Sequence, residues 1–302
     1  MAGGHLHKRD VVKVAQLCTR ATLFVVATIV LVTLWRVVVH DSSQTGDPRR
    51  EALEVAAGKE INPPDHEQSI IDSPLYNDPI AKTLRLGKIK PEIISWNPRI
   101  ILFHNFLSEE EAQHMIDLGR PRLEKSTVVD VQTGQGIQSK VRTSSGMFLS
   151  MSDRQNDLVV QAIEERISHF TYTPIPNGEL LQILRYEKDQ YYKPHHDYFS
   201  DEFNVKRGGQ RVGTVLMYLS DVEEGGETIF PNAEIAPGQP TCSCGEDPKP
   251  GLCVKPKRGN AILFWSKTLE GAVDPLSLHG GCPVVVGEKW SSTKWIRERA
   301  FV

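Results

Sequence analysis

The sequence predicts an α+β fold, with an N-terminal transmembrane helix followed by a jelly-roll core that has flanking helices. Three patterns predict it: one long apolar run near the N-terminus, two segments of helical periodicity, and several short β-rich runs towards the C-terminus. Apolar residues make up 39% and charged residues 24% of the 302-residue chain, which is typical of a folded protein. The net charge of −3 offers no basic surface, so we expect no nucleic-acid partner.

The long apolar run covers residues 21–39 and contains one charged residue, Arg36. As a helix it would be about 28 Å long, close to the thickness of a bilayer core. A cleaved signal peptide and a buried core helix are the alternatives, but the run is long for the first and has almost no polar face for the second. We therefore predict a retained signal anchor.

Flanking charges predict how this anchor is oriented. Residues 1–20 contain four Lys or Arg, whereas none occurs between residue 40 and Arg49. The excess of positive charge before the anchor predicts a cytoplasmic tail at residues 1–20 and a single-pass type II protein in the endoplasmic reticulum or Golgi membrane. Residues 40–90 carry several prolines without sustained periodicity and are interpreted as a lumenal stem, followed by a folded domain at residues 91–302.

Four of the five cysteines lie in the downstream domain, at Cys242, Cys244, Cys253 and Cys282. An even number of cysteines in an oxidising compartment favours two disulfides. A zinc site is the alternative, but a Cys-x-Cys pair followed by an eight-residue gap matches zinc knuckles poorly. The residues alone leave the pairing open.

Secondary-structure signals divide the folded domain into helices and then strands. A capping box at Ser108–Glu111 predicts a helix that ends by residues 119–121, and periodicity predicts a second helix over residues 152–170. From Glu179 the pattern changes to short β-rich runs separated by Gly, Pro and Asp, which favours a sandwich or barrel. These runs are LLQILRY, QRVGTVLMYL, AILFW and KWSSTKWI.

Two histidines and one aspartate form a candidate metal site. Alternate side chains of a strand share a face, so His195 and Asp197 are expected to point together while His196 points away. His279 follows 84 residues later as the candidate third ligand. Two His and one carboxylate with open positions are typical of non-haem Fe(II) oxygenases.

A His-x-Asp pair alone is a weak signal, but two cations strengthen it. Lys289 has the same strand parity as His279 if the residues between them are extended, and Arg211 begins an apolar strand. Taken singly, Lys289 reads as a solvated lysine and Arg211 as a surface ion pair. Together with His195, Asp197 and His279 they form a constellation.

With these residues in place, the sequence resembles the membrane-anchored, plant-type prolyl 4-hydroxylases, members of the 2-oxoglutarate/Fe(II) dioxygenases. The similarity runs from about residue 90 to residue 297, and its matching stretches are numerous and in order. They include IISWNPR, HNFLS, VRTSSGMFL, PHHDYF, GGQR, LMYL, EEGGETIFPNAE, DPLSLHGGCPV and KWSSTKWI.

The resemblance implies a double-stranded β-helix catalytic domain at residues 91–302. It also implies 4-hydroxylation of peptidyl proline in proline-rich secretory or cell-wall proteins, coupled to oxidative decarboxylation of 2-oxoglutarate to succinate and CO2. Fe(II), 2-oxoglutarate, O2 and L-ascorbate are the implied cofactors and cosubstrates. Whether the chain forms an oligomer with related hydroxylases stays open, as do the particular protein substrate and the choice between endoplasmic reticulum and Golgi.

The resemblance assigns roles position by position. His195, Asp197 and His279 match the iron ligands, and Lys289 matches the catalytic-site cation that binds the distal carboxylate of 2-oxoglutarate. Tyr186 matches an aromatic residue that contacts this cosubstrate. The positions that match the peptide groove are Arg211, Trp295 and Arg142, the last in a VRTSSG segment that resembles a loop closing over the peptide; Tyr191 and Tyr198 are further candidate groove walls.

Two positions depart from the family pattern. Arg297 stands where some members have His, at a position linked to the substrate groove. The Cys-x-Cys pair stands where members often have one Cys, and that alignment pairs Cys244 with Cys282 and leaves Cys242 for Cys253.

Other functions remain as alternatives. One is a 2-oxoglutarate oxygenase acting on lysine or a small molecule, against which the anchor, stem and VRTSSG loop argue. Another is a non-catalytic jelly-roll binding module, in which Lys289 would have no reason to face the metal. A halogenase is disfavoured because Asp197 occupies the position that halide would need.

Overall fold

The computed structural model describes residues 78–129, 135–244 and 250–301. The predicted cytoplasmic tail, the anchor at residues 21–39 and most of the predicted stem lie outside them. Within these ranges no helix is long and apolar enough to cross a membrane. The predicted end of the stem at residue 90 is wrong, because the folded unit already includes helix α1 (Pro79–Thr83).

Helix α1 is held to the domain by packing and hydrogen bonds. The Asp78 carboxylate accepts a hydrogen bond from the Ile80 backbone and caps the helix, while Ala81 and Leu84 are buried. The backbone carbonyl of Thr83 accepts two hydrogen bonds from the Arg166 guanidinium, at 2.6 and 3.1 Å. Apolar burial and a charged donor thus attach this segment to the domain.

Two strands, β1 (Lys90–Trp96) and β2 (Arg99–His104), precede the first long helix. The sequence predicted helices first and strands afterwards, so these two strands were missed. Helix α2 (Glu109–Gly119) confirms the first predicted helix and its capping box, since Ser108 and Glu111 exchange backbone-to-side-chain hydrogen bonds. Four short strands follow: β3 (Glu124–Lys125), β4 (Val128–Val129), β5 (Gly136–Ile137) and β6 (Ser145–Phe148).

The second predicted helix is two helices, α3 (Met151–Asn156) and α4 (Leu158–Thr171). Asp157 separates them because its backbone is extended and its carboxylate accepts hydrogen bonds from Val159 and Val160. A side chain that caps a new helix start interrupts the helix before it.

Most of the remaining strands belong to two larger sheets, and one short helix lies among them in the chain. The four predicted β-rich runs are confirmed as strands β7, β9, β14 and β17. The elements are β7 (Gln182–Tyr186), β8 (Tyr192–His195), α5 (Glu202–Lys206), β9 (Arg211–Tyr218), β10 (Glu224–Gly225), β11 (Thr228–Phe230), β12 (Thr241–Cys242), β13 (Gly251–Val254), β14 (Ala261–Trp265), β15 (His279–Gly281), β16 (Val284–Val286) and β17 (Lys289–Arg297).

Two antiparallel sheets form the frame of the domain. The larger has the strand order β1-β2-β14-β9-β17-β7-β6-β3, and the smaller has the order β12-β13-β11-β15-β8. Apolar side chains of both sheets meet in one cluster, which includes Ile262 and Phe264 from the larger sheet and Phe230 and Leu252 from the smaller. The result is a mixed α/β fold with antiparallel sheets, consistent with the predicted jelly roll.

Strand β17 shows how the larger sheet separates core from site. Trp290 and Ile296 join the apolar cluster that also contains Met115 of α2 and Ile163 of α4. Alternate residues on the opposite face line the cavity, namely Lys289, Ser291, Thr293 and Trp295. This alternation follows from the period of two in a strand.

Two disulfides stabilise the smaller sheet. Cys242 pairs with Cys253 across β12 and β13, and Cys244 pairs with Cys282, which directly follows β15. This agrees with the pairing implied by the family alignment and favours two disulfides over a zinc site. The second disulfide fixes the chain three residues after His279.

Candidate active site

His195 and His279 meet as a cross-strand pair. They are directly opposite each other on β8 and β15, which are antiparallel neighbours in the smaller sheet. Their ring centroids are 4.4 Å apart. Each Nδ1 lies within hydrogen-bond distance of the backbone carbonyl two residues earlier, 2.9 Å from Lys193 and 3.0 Å from Ser277. These contacts leave both Nε2 atoms directed towards Asp197.

Asp197 follows β8 directly and completes the group. Its Oδ1 lies 3.7 Å from Nε2 of His195, and its Oδ2 lies 3.5 Å from Nε2 of His279. Three potential ligand atoms of the group lie within 4.8 Å of one another. The predicted convergence of these residues is therefore present, and two imidazole nitrogens with one carboxylate match an Fe(II) donor set.

The local electrostatics keep His195 and Asp197 in the ionisation states that metal ligands require. Burial, together with the neighbouring His279, lowers the pKa of His195 to about 3. Burial alone would raise the pKa of Asp197, but the two histidines, Arg211 and the Thr214 hydrogen bond outweigh it and lower the value to about 2. Neutral imidazole and ionised carboxylate are the forms that bind a metal.

His196 lies outside this group, as the strand alternation predicted. Its Nε2 is 3.1 Å from the backbone carbonyl of Pro275, and its ring stacks on Tyr198 at a centroid distance of 4.5 Å. It lines an outer groove rather than the cavity that contains the triad.

Lys289 lies in the same small cavity of about 50 Å³ as the triad. Its side chain is buried, and its Nζ donates a hydrogen bond to the Gly226 carbonyl over 2.7 Å. Burial lowers the pKa of this ammonium to about 8, with Glu227 acting in the opposite direction. The buried Oγ of Ser291 has no hydrogen-bond partner in the described part of the chain. An ammonium and a free hydroxyl in one cavity suit a carboxylate ligand.

Lys289 faces the cavity for a different structural reason from the one that the sequence predicted. Strand parity between His279 and Lys289 does not apply, because β15 belongs to the smaller sheet and β17 to the larger. The two residues face one cavity because the sheets pack against each other. Tyr186 is the register partner of Lys289 on β7 and also lines the cavity, as predicted.

Arg142 lies between the cavity and the outer groove and lines both. It is buried, donates to Gln182 Oε1 over 3.2 Å, and its guanidinium lies 4.7 Å from the Tyr192 ring centroid. Tyr192 in turn stacks on His195 at 3.6 Å. The ring of Tyr192 thus lies between Arg142 and the candidate metal ligand His195 and contacts both.

The outer groove has a volume of about 620 Å³ and an aromatic lining. Trp295 and Tyr198 line it as predicted, but Tyr191 does not. Tyr191 lines a separate cavity and its hydroxyl donates to the Lys140 carbonyl, so its predicted place in the groove is wrong. The aromatic residues that line the groove are Phe148, Tyr192, Tyr198, Phe199 and Trp295.

Arg211, which lines the groove, shares one buried carboxylate with the buried Arg297. Glu179 accepts two hydrogen bonds from Arg211, at 2.7 and 2.8 Å, and its Oε1 lies 2.6 Å from Nε of Arg297. The Arg211 guanidinium lies 4.0 Å from the Trp295 ring centroid, so Glu179 fixes a cation on the groove wall. Burial acts to raise the pKa of Glu179. Arg211 and Arg297 together lower it by more, so the net shift of the pKa is downward.

Sequence reasoning missed Tyr192, Thr214 and Glu179. Glu179 had a signal, because a single acid directly precedes an apolar strand. Tyr192 had none, because the register of β8 and β15 shifts between His279 and Gly281 and strand parity fails there. Thr214 lies on the face of β9 that lines the site. Arg211 reaches the same face because the register between β9 and β17 skips Val212.

Comparison with known proteins identifies similar sequences. Residues 181–297 match the 2OG-Fe(II) oxygenase superfamily. The chain is 58% identical to prolyl 4-hydroxylase 1 of Arabidopsis thaliana, over 74% of this chain and 77% of that protein. It is 56% identical to probable prolyl 4-hydroxylase 8 of the same plant, over 70% and 72%.

A solved structure is also similar to this chain. It is the 2OG complex of the viral collagen prolyl hydroxylase from Paramecium Bursaria Chlorella virus-1. The identity is 26% and the TM-score 0.48, over 66% of this chain and 95% of that one.

Proposed function

Because the chain belongs to the plant-type prolyl 4-hydroxylases, which are 2-oxoglutarate/Fe(II) oxygenases, we propose that it hydroxylates the 4-carbon of peptidyl proline in proline-rich secretory or cell-wall proteins. The reaction consumes 2-oxoglutarate and O2 and yields succinate and CO2. The observation that carries the proposal is the convergence of His195, Asp197 and His279 in one cavity with the buried cation Lys289.

His195, Asp197 and His279 hold the Fe(II) in this proposal. The fit rests on the donor set, on the two Nδ1 atoms held by backbone carbonyls, and on the ionised state of Asp197. The bound iron supplies the oxidative chemistry with 2-oxoglutarate and O2. The protein orients the three ligands.

Lys289 binds the distal carboxylate of 2-oxoglutarate in this proposal. A buried ammonium with one carbonyl partner has donors left for a carboxylate, and such a charge-assisted pair is favourable away from water. Tyr186 and Tyr218, whose ring centroids lie 5.6 Å from Nζ, shape the cavity around that end.

The outer groove binds the peptide in this proposal. An aromatic-lined groove suits a proline-rich segment, since a polyproline II helix is already extended and loses little entropy on binding. Trp295 lines both the groove and the inner cavity, so a peptide in the groove can present one residue to the triad. Arg211 and Arg142 supply donors along the same wall.

Mass spectrometry of a proline-rich peptide tests the function. Wild-type enzyme with Fe(II), 2-oxoglutarate and O2 is expected to add one oxygen per modified proline and to release succinate in proportion. Asp197→Ala should abolish both products. His196→Ala is the matched control for Fe(II) binding rather than for turnover, since it removes an adjacent imidazole that lies outside the triad but lines the groove. Unmodified peptide with the wild type would refute the proposal.

We also propose that residues 21–39 anchor the enzyme as a type II protein in the endoplasmic reticulum or Golgi membrane. Support comes from the apolar length and from the basic residues that precede it. From the family we also propose that L-ascorbate acts as a reductant and that the chain forms an oligomer with related hydroxylases. Protease treatment of sealed microsomes tests the orientation, because only residues 1–20 should be digested.

A further inference from the structure

A hydroxyl on the larger sheet donates to the candidate metal ligand of the smaller sheet. Oγ1 of Thr214 on β9 donates a hydrogen bond to Oδ2 of Asp197 over 2.6 Å, and both side chains are buried. Thr214 is also the register partner of Trp295 on β17, so its backbone is fixed within the larger sheet. The bond therefore joins the two sheets at the site.

This contact differs in kind from those of the other two ligands. His195 and His279 are oriented by backbone carbonyls, which no substitution removes. Asp197 is oriented by a side chain, which can be changed. Its two oxygens are also unequal, because Oδ2 accepts the Thr214 hydrogen bond while Oδ1 accepts none from the described residues.

We propose that Thr214 is a positioning residue that fixes the rotation of the Asp197 carboxylate and leaves Oδ1 as the oxygen that binds the metal. A carboxylate that turned freely could occupy a further coordination position through its second oxygen. Two histidines and one carboxylate oxygen would hold the iron and would leave positions open for its cosubstrates. Thr214 thereby keeps these positions available.

The inference rests on the proposed function, because that function assigns Fe(II) to the triad. Its test does not depend on peptide turnover. Metal-stripped enzyme is titrated with Fe(II) under anaerobic conditions, and 2-oxoglutarate is then added while the visible charge-transfer band of its iron complex is followed. Thr214→Val removes the hydroxyl at nearly constant volume. Loss of a partner that orients a metal ligand typically costs about 10- to 100-fold in metal affinity.

Two variants serve as controls. Thr214→Ser retains the hydroxyl and should restore Fe(II) affinity and the charge-transfer band to near the wild-type values. Thr171→Val removes another buried threonine hydroxyl, which donates to the Ile167 carbonyl in α4 over 2.7 Å. It should change thermal stability only. If Thr214→Val does not fold, Thr214→Ala makes the same deletion with less bulk.

The expected result is weaker Fe(II) binding and a weaker or shifted charge-transfer band for Thr214→Val, with rescue by serine. Wild-type values for the valine or alanine variant would overturn the positioning role, and so would failure of serine to rescue. A wild-type enzyme that binds Fe(II) and 2-oxoglutarate but modifies no peptide would refute the proposed function while leaving the role of Thr214 supported.

Discussion

Lys289 and Tyr186 face each other as register partners on β17 and β7, with Nζ of the lysine 5.6 Å from the centre of the tyrosine ring. Nothing acidic pairs with this ammonium in the part of the chain that the structure describes. Its hydrogen-bond partner is the carbonyl of Gly226. A buried cation without a carboxylate is unfavourable unless a ligand supplies one.

Substitution Lys289→Ala should raise the 2-oxoglutarate requirement strongly. Removing one partner of a buried ion pair costs about 3–5 kcal/mol, or on the order of 10²–10³ in affinity or more. Fe(II) affinity should stay near that of the wild type because the triad is untouched. The measurement is peptide hydroxylation as a function of 2-oxoglutarate concentration.

Lys294→Met is the matched control for that substitution. Lys294 is a second buried lysine on β17, but it lies on the opposite face and pairs with Glu164 of α4. Its loss should lower stability without changing the KM for 2-oxoglutarate. Equal KM changes for the two variants, or overlapping curves for Lys289→Ala and wild type, would contradict the assignment of Lys289.

Binding of 2-oxoglutarate should weaken as the pH rises above about 8. Burial lowers the pKa of Lys289 to about 8, so above that pH the free enzyme loses the charge that the cosubstrate needs. The charged or titratable groups that face Nζ are Tyr186, Tyr218 and Glu227. Below pH 8 the affinity should be constant, and above it the affinity should fall about tenfold per pH unit.

Lys289→Arg separates this effect from other titrations. A guanidinium stays charged throughout this range, but its planar shape fits the cavity of a lysine poorly. We expect weaker binding of 2-oxoglutarate at pH 7 and no further loss between pH 8 and 9.5. A slope equal to that of the wild type would assign the pH dependence to another group. Anaerobic titration of the iron-loaded enzyme measures both.

The residue at which an expressed catalytic domain begins should affect its stability. Helix α1 belongs to the folded domain, although it lies within the predicted stem. A chain that begins at Ser73 retains α1, whereas one that begins at Leu86 removes it and leaves Arg166 without the two hydrogen bonds to Thr83. Unsatisfied buried donors cost about 1–3 kcal/mol each. The shorter chain should therefore unfold at a lower temperature in a thermal melt, while a chain that begins at Ser73 should match the full-length protein in peptide turnover.

The sequence was sufficient for the triad because His195 and Asp197 are close in the chain and share one face. It was insufficient for what depends on contact between sheets. Lys289 was predicted, but through a strand parity that does not apply, and Thr214 was missed. Both reach the site from the larger sheet, and no spacing in the sequence encodes how the two sheets pack. Strands β1 and β2 were missed for a similar reason, since they form a hairpin at the edge of a sheet completed by β14 more than 150 residues later.

Glu179→Gln should weaken peptide binding and leave 2-oxoglutarate binding unchanged. The substitution removes the one carboxylate shared by Arg211 and Arg297, whose side chains are 12% and 3% exposed. Two buried guanidinium groups then repel each other, and Arg211 loses the bidentate contact that holds it against Trp295. We expect the peptide KM to rise about tenfold or more, equivalent to roughly 1.4 kcal/mol.

Glu164→Gln distinguishes this effect from general destabilisation. Glu164 is an equally buried carboxylate that also serves two cations, Lys294 and Arg154, but it lies among the helices away from the groove. Both variants should melt at lower temperatures because each leaves two buried cations without a counter-charge. Only Glu179→Gln should raise the peptide KM, since Glu179 holds Arg211, which lines the groove. A rise of equal size in both variants would show that loss of stability, rather than the position of Arg211, limits peptide binding.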